Sequence, residues 1–286
     1  MASQERPTSR NIPWPIQREV RQRCGFGCVI CGLPLYEYEH LEGWANVQRH
    51  VAAEITLLCD KHHREKTGGL LPIEDVIAAD RDPHNKRAGV SAPYDLHYSG
   101  DECEIVIGSN RFTAQAGGDE GTLVIPIMID GTVLVGAVLS DNHVLLNLLW
   151  FDEANLPILQ IHANQLIHSV DPWDIQLVGR KLIVRAAHGK ISLDIEFQVP
   201  NRIVIQRGRL LLNGVELVIR PEYALVTNNR MLLSESTFGN MPIGLAIGQQ
   251  PPIRPIAMVM EHVPRYQLDS EEAKKWANEQ MKERRN

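Results

Sequence analysis

Two pairs of metal-ligand residues lie in the first quarter of the sequence. Cys28 and Cys31 are separated by two residues, and Cys59 and His62 have the same spacing. Thiolates and imidazoles paired in this way are typical ligands of tetrahedral zinc. Because these four side chains leave no position for water, the spacing predicts a structural Zn²⁺ that stabilises a small module with a thin core.

The cysteine count supports metal binding over disulfide bonding. The chain has five cysteines, and four of them, including Cys24, fall before residue 60. An odd number of cysteines argues against a disulfide framework, and their clustering with histidines favours a metal site.

A second group of titratable residues lies between and after these pairs. Glu39 and His40 fall in a predicted strand, LYEYEHL, and His63 directly follows His62. The next residue of a helix points about 100° away. We therefore expect His63 to stay clear of the zinc ion and to be free to face His40.

The segments CVICG, YEHL and EITLLCDKHHREK follow one another in this order. Together they resemble the HNH endonuclease family, in its zinc-containing ββα-metal branch. The resemblance covers about residues 10 to 70, and the rest of the chain resembles no family known to us. It implies a ββα-metal fold and a metal-dependent endonuclease that hydrolyses phosphodiester bonds in DNA.

The resemblance also implies a role for each motif residue. His40 would be the general base that activates water, since a neutral imidazole accepts a proton near pH 7. Glu39 and His63 would hold a catalytic Mg²⁺ or Mn²⁺ ion, which neutralises the scissile phosphate and the leaving oxygen. The structural zinc would be bound by Cys28, Cys31, Cys59 and His62.

One position departs from the family pattern. Glu54 stands where the family usually has an asparagine that orients the base or shapes the loop. Its carboxylate can accept a hydrogen bond from the His40 ring, so the predicted catalytic set is His40, Glu54 and His63. Asn46 and His50 are alternative occupants of that position. A non-catalytic, zinc-dependent nucleic-acid-binding or interaction protein that retains the HNH fold is the alternative function.

Overall charge limits how nucleic acid can be bound. The formal net charge is −6, so the chain lacks the broad basic character of many polyanion-binding proteins. Any nucleic-acid surface must then be local.

The elements around the motif indicate an α+β multidomain chain. The N-terminal HNH-like domain is predicted over residues 1–75, followed by a linker over 76–100 that lacks steady periodicity. From residue 101 to 262, short β-branched runs alternate with turn signals, which predicts an all-β domain, either a sandwich or a β-solenoid. Its proposed roles are sensing, specificity, self-association or binding of a partner protein. A polar C-terminal helix is predicted over 269–285.

Membrane and export signals are not expected. No apolar run is long enough to cross a bilayer, and the N-terminal residues are polar. A cytoplasmic protein without a membrane partner is therefore the expectation.

Overall fold

The structure, a computed structural model, describes residues 10–117, 121–249, 255–266 and 270–285. It is a mixed α+β protein, mostly sheet, with few helices. The helices are α1 (Trp14–Cys24), α2 (Trp44–Val47), α3 (Asp60–Thr67), α4 (Ile73–Arg81), α5 (His84–Ala88) and α6 (Ser270–Arg285), with 3-10 turns at Ala52–Glu54 and Thr227–Asn229. The predicted C-terminal helix begins at residue 269, which lies outside the described residues.

The strands are β1 (Glu37–His40), β2 (Ile55–Leu58), β3 (Tyr94–Asp95), β4 (Glu102–Ile107), β5 (Asn110–Gln115), β6 (Thr122–Ile129), β7 (Thr132–Ser140), β8 (His143–Phe151), β9 (Pro157–His162), β10 (Gln165–His168), β11 (Asp174–Val178), β12 (Lys181–Ala187), β13 (Lys190–Gln198), β14 (Arg202–Leu212), β15 (Val215–Arg220), β16 (Tyr223–Val226), β17 (Met231–Leu233), β18 (Thr237–Gly239), β19 (Ile243–Ile247) and β20 (Ile256–Met260).

The described residues divide into two compact units. The first unit contains the chain up to Tyr94 together with Ser169–Val178, and the second contains Asp95–His168 and the chain from Gly179 onward. Among the described helices, none combines the length and the apolar character that crossing a membrane requires.

Helix α1 supplies one wall of the first unit. Pro15 lies in its first turn, where a missing N–H costs no helical hydrogen bond. The helix ends at Gly25, whose φ of 70° is the left-handed conformation that glycine adopts easily. Its buried side chains Val20 and Cys24 pack in one cluster with those of β2.

A hairpin follows α1 and the turn with Cys28 and Cys31, and it carries Glu39 and His40. Strands β1 and β2 are antiparallel, with Glu39 opposite Thr56 and His40 opposite Ile55. All four side chains of β2 are buried, which anchors the hairpin in the core. Helix α3 begins directly after Cys59 and ends at Thr67, before the glycines at 68 and 69.

Residues 76–100, for which the sequence predicts a linker, hold part of α4 and all of α5 within the first unit. Val76 is fully buried in the core cluster. The buried Asn85 side chain donates hydrogen bonds to the carbonyls of Gly25 and Gly32, at 2.9 and 3.1 Å. Each of these short helices contributes few buried side chains, so neither leaves a clear periodic pattern in the sequence.

A segment from inside the predicted all-β range also belongs to the first unit. Asp174, in β11, forms a bidentate ion pair with Arg21 of α1 at 2.8 and 2.9 Å, and both side chains are fully buried. Arg21 also donates to the hydroxyl of Tyr38 at 2.6 Å. The buried pair therefore links α1 both to this segment and to β1.

The second unit is built from two sheets of mainly antiparallel strands. One contains the order β20-β19-β6-β7-β8-β9-β10, and the other contains β12-β13-β14-β15-β16-β17, with β4 beside β14 and β5. Most neighbours are consecutive in the chain, as in hairpins. Such sequential hairpins belong to packed antiparallel sheets rather than to the parallel rungs of a solenoid.

The two sheets approach closely at one glycine. A Cβ on Gly208 of β14 would lie 2.5 Å from the ring of the fully buried Trp150 of β8. Helix α6 covers another part of this unit, where Ala273, Ala277 and Met281 pack against Tyr223 and Leu225.

Candidate functional site

The four predicted zinc ligands come together in the first unit. The Sγ atoms of Cys28 and Cys59 each lie 3.3 Å from Nδ1 of His62, and Cys31 Sγ lies 3.7 Å from Cys59 Sγ. All four ligand atoms lie within 4.8 Å of one another. Tetrahedral zinc places two sulfurs about 3.8 Å apart and a sulfur and a nitrogen about 3.5 Å apart. These residues are therefore positioned to bind a metal ion, and the donor set suits structural zinc.

Two local structures hold these ligands in place. Cys28 and Cys31 lie on a tight turn, closed by a 2.8 Å hydrogen bond from the Gly32 N–H to the Cys28 carbonyl. Gly32 has a φ of 78°, a conformation that favours glycine. Cys59 is the N-cap of α3, and His62 lies in the first turn of that helix.

The thiols of the turn influence each other's ionisation. The hydrogen bond with the Cys31 side chain lowers the pKa of Cys28 to about 4, against the effect of burial. The same contact raises the pKa of Cys31 well above its ordinary value. A thiolate at Cys28 is thus favoured, and thiolates are the form that binds metal.

Glu39 and His63 form a second cluster around β1 and α3. Nε2 of His63 lies 3.0 Å from Oε2 of Glu39, and Nδ1 of His63 lies 3.6 Å from Oε2 of Glu37. The ammonium of Lys66 is bonded to the other oxygen of Glu39 and, at 3.1 Å, to the carbonyl of His40. His63 therefore belongs with Glu39 and not with the zinc ligands.

This second cluster has one feature that suits a divalent cation. The 3.0 Å separation of Glu39 Oε2 and His63 Nε2 matches two neighbouring ligands at about 2.1 Å from an octahedral ion. A hydrogen bond gives the same separation. Lys66 is bonded to Oε1 of Glu39, and Oε2 is the oxygen that faces His63.

His40 lies at the end of β1 and is 7% exposed. Its Nε2 is 3.3 Å from Nδ1 of His50, and the Trp44 ring stacks on His50 with centroids 4.8 Å apart. Burial, followed by the charge of His50, lowers the pKa of His40, while the charge of Glu39 acts in the opposite direction. The lowered pKa favours the neutral form of the His40 imidazole.

Glu54 is bonded to Arg49 rather than to the ring of His40. Its carboxylate is paired with Arg49, through Nε at 3.0 Å and through Nη2, and this contact lowers the pKa of Glu54. Within the described part of the chain, no hydrogen bond joins Glu54 to the His40 ring. Asn46 instead donates to the carbonyl of Glu42 at 2.7 Å. Of the three residues considered for this position, His50 is the one that contacts His40.

Comparisons with known proteins add nothing to these observations, because no family model, no curated protein and no solved structure matches the chain. The resemblance to HNH endonucleases therefore rests on the motif residues alone.

Several residues of the site were not singled out from the sequence. Lys66 follows His63 by three positions on a helix, so a shared helical face could have indicated its contact with Glu39. No comparable signal marks Trp44, whose place beside His50 depends on the course of the loop between β1 and β2. The same loop brings Arg49 to Glu54.

Proposed function

We propose that the first unit is a zinc-stabilised, metal-dependent endonuclease of the HNH type that hydrolyses phosphodiester bonds in DNA. Strands β1 and β2 and helix α3 carry Glu39, His40 and His63, and their order is that of a ββα-metal module, with the short helix α2 in the loop between the strands. The observation that carries the proposal is the 3.0 Å contact of Glu39 with His63, on the same hairpin and helix that carry His40 and His62.

His40 is the general base in this proposal. Burial lowers the pKa of this ring, which favours the neutral form that accepts a proton from the attacking water. We assign the proton transfer to the His40 ring, whose Nε2 lies 3.3 Å from Nδ1 of His50, so that the second imidazole orients the first. His50 thus takes the orienting role that the family's asparagine usually has.

Glu39 and His63 would hold a divalent cation, Mg²⁺ or Mn²⁺. Such an ion, when bound, neutralises charge on the scissile phosphate and on the leaving oxygen. Lys66 contributes by fixing Oε1 of Glu39, which leaves Oε2 directed toward His63. This makes Lys66 a positioning residue.

The negative charge of Glu54 is compatible with the proposal. A carboxylate near a phosphate site would repel the substrate if its charge were uncompensated. Arg49 pairs with the Glu54 carboxylate through two nitrogens, so its positive charge compensates the negative charge that Glu54 adds at this position.

The alternative is a non-catalytic, zinc-dependent protein that binds nucleic acid or another partner through the same fold. One observation favours it: the ammonium group of Lys66 pairs with the Glu39 carboxylate, so this carboxylate has a counter-charge without any metal ion.

The test is nicking of supercoiled plasmid DNA by the full chain, with added Mg²⁺ or Mn²⁺. We expect cleavage by the wild type and a loss of about 100-fold or more for His40→Ala, as for other general bases. His63→Ala should lose cleavage as well, and His162→Ala, an exposed histidine of the second unit, should cleave like the wild type.

Zinc content should be measured for each variant, so that loss of fold is not mistaken for loss of chemistry. If the zinc-loaded wild type nicks no DNA with either metal while still binding it, the alternative replaces the nuclease proposal. Equal cleavage by wild type and His40→Ala would remove His40 from the mechanism.

A further inference from the structure

The second unit contains a polar groove of about 500 Å³ between α6 and the end of the β15-β16 hairpin. Arg220 and Tyr223 line one side of the groove, and Lys274, Lys275 and Lys282 line the other. None of these residues belongs to the site in the first unit.

The lysines share one face of α6. Lys274, Lys275, Asn278 and Lys282 recur at intervals of three and four residues, which places them on one side of a helix. The apolar side of the same helix, with Trp276 at its margin, packs against the sheet. The apolar contact therefore fixes the helix so that the lysine face borders the groove.

Charge in the groove is opposite in sign to that of the chain. Four cations, Arg220 and the three lysines, stand against two carboxylates, Glu271 and Glu279, which leaves a local charge of +2. The whole chain carries −6. The groove is thus a local positive region on an acidic protein.

Much of this positive charge is uncompensated. Lys274 pairs with Glu271 at 2.8 Å. Within the described residues, Lys275 and Lys282 form no ion pair, and the guanidinium of Arg220 bonds only to the carbonyl of Ile219, at 3.1 Å. The pKa of Glu271 is lowered by the hydrogen bond from Lys274 and by the charges of Lys274, Arg220 and Lys190. The charge of Glu222 acts on the neighbouring Tyr223.

Phosphate groups match these donors. Lysine binds phosphate as a point charge, and arginine through its several N–H groups. The Tyr223 hydroxyl donates to Oδ1 of Asn278 at 3.1 Å, which directs the other atom of that amide, an NH₂ donor, away from Tyr223. Lys275 and Lys282 are seven residues apart, about 10 Å along a helix, so the two ammonium groups are far enough apart to contact different phosphates.

We propose that this groove of the second unit binds the phosphate backbone of nucleic acid. The choice of nucleic acid over an acidic peptide rests on the proposed function, since an endonuclease on an acidic chain needs a local basic surface to hold its substrate. The groove would give this unit a part in substrate binding that is separate from the chemistry of His40.

The experiment measures binding of a fluorescent DNA duplex by fluorescence anisotropy over a series of salt concentrations. The full chain carries His40→Ala, and no divalent cation is added, so cleavage does not interfere. The groove variant adds Lys275→Ala and Lys282→Ala. The matched control adds Lys181→Ala and Arg207→Ala instead, which removes two exposed cations elsewhere in the second unit.

We expect the groove variant to bind at least about tenfold more weakly at low salt, with the slope of log K against log salt reduced by about 1.8, as for two lost phosphate contacts. The control should change neither quantity by a comparable amount. Unchanged circular dichroism would show that the exposed substitutions leave the fold intact.

Two results overturn the proposal. One is a groove variant that binds DNA with the affinity and salt slope of the parent. The other is a groove that binds a labelled polyglutamate peptide, with loss in the groove variant, but binds no DNA. Failure of the nuclease proposal looks different: DNA binds through the groove, and no plasmid is nicked under any metal.

Discussion

The interiors of the two units differ in chemistry. Around the motif, the first unit encloses four metal-ligand side chains and the fully buried ion pair of Arg21 and Asp174, with a modest apolar cluster beside them. The second unit buries long runs of Ile, Leu and Val, and Trp150 is fully buried in the same unit. The first unit thus combines a modest apolar cluster with four side chains positioned to bind a metal ion, and metal binding is a source of stability for small modules with little apolar area.

This difference has a functional consequence. A site on a short hairpin and a short helix needs rigid support. A metal ion bound by Cys28 and Cys31 before the hairpin and by Cys59 and His62 after it would provide that support. The sheets of the second unit stabilise themselves, so their outer surfaces are free to carry other properties, such as the basic groove beside α6.

The largest expected effect is loss of the metal. Removing zinc with a chelator, or substituting Cys28→Ser, should unfold the first unit, because zinc contributes on the order of 10 kcal/mol to small modules of this kind. The second unit should stay folded. Limited proteolysis followed by mass spectrometry would locate the unfolded segment. Cys24→Ala is the matched control, since Cys24 is buried nearby but is not a ligand. Equal unfolding of both units would contradict the comparison.

Breaking the buried ion pair should have the next largest effect. Arg21→Met leaves the Asp174 carboxylate buried without its partner. Such a change typically lowers the free energy of unfolding by about 3–5 kcal/mol. Denaturant unfolding of the first unit would measure the loss. The double variant Arg21→Met, Asp174→Leu should recover most of the stability. A double variant as unstable as Arg21→Met would show that the charge is not the cause.

A cavity in the second unit should destabilise that unit alone. Leu146→Ala removes a fully buried side chain of β8, at a cost of about 2–5 kcal/mol. Thermal unfolding of the second unit should shift, and zinc content should not. Leu156→Ala, at a leucine that is 61% exposed, is the control, and we expect a change within about 0.5 kcal/mol. Loss of zinc in Leu146→Ala would show that the two units do not unfold independently.

The smallest effect concerns acid stability of the second unit. Burial opposes ionisation of Glu216, but hydrogen bonds from Arg209, Ser270 and Thr227 outweigh it and lower its pKa. A carboxyl group with a lowered folded-state pKa contributes stability above its unfolded pKa, about 4.3, and loses it as the pH falls through the lower folded value. The free energy of unfolding, measured from pH 6 down to pH 3, should therefore fall with pH in the wild type and fall less in Glu216→Gln. An unchanged acid profile in that variant would assign the loss to other carboxyl groups.

Parts of this arrangement are visible in the sequence, for physical reasons. The zinc ligands are predicted because tetrahedral coordination imposes a short spacing within each pair. The β-rich second half is indicated by β-branched runs between turn residues. Both signals are local, so a single sequence contains them.

Other parts depend on contacts between distant residues. Asp174 lies 153 positions from Arg21, and no local pattern links the two residues. The helices within residues 76–100 are held by single buried side chains such as Asn85, which produce no periodicity. His50 reaches His40 through the path of a loop, so the sequence left Glu54, Asn46 and His50 as alternatives.

The most direct test of the account is the metal content of the purified chain. Elemental analysis, or native mass spectrometry of the intact protein, should find about one zinc per wild-type chain, none in Cys28→Ser or Cys59→Ser, and an unchanged amount in His40→Ala. A wild-type protein without zinc, or a Cys28→Ser variant that retains it, would contradict the claim that these four side chains form the metal centre on which the first unit is built.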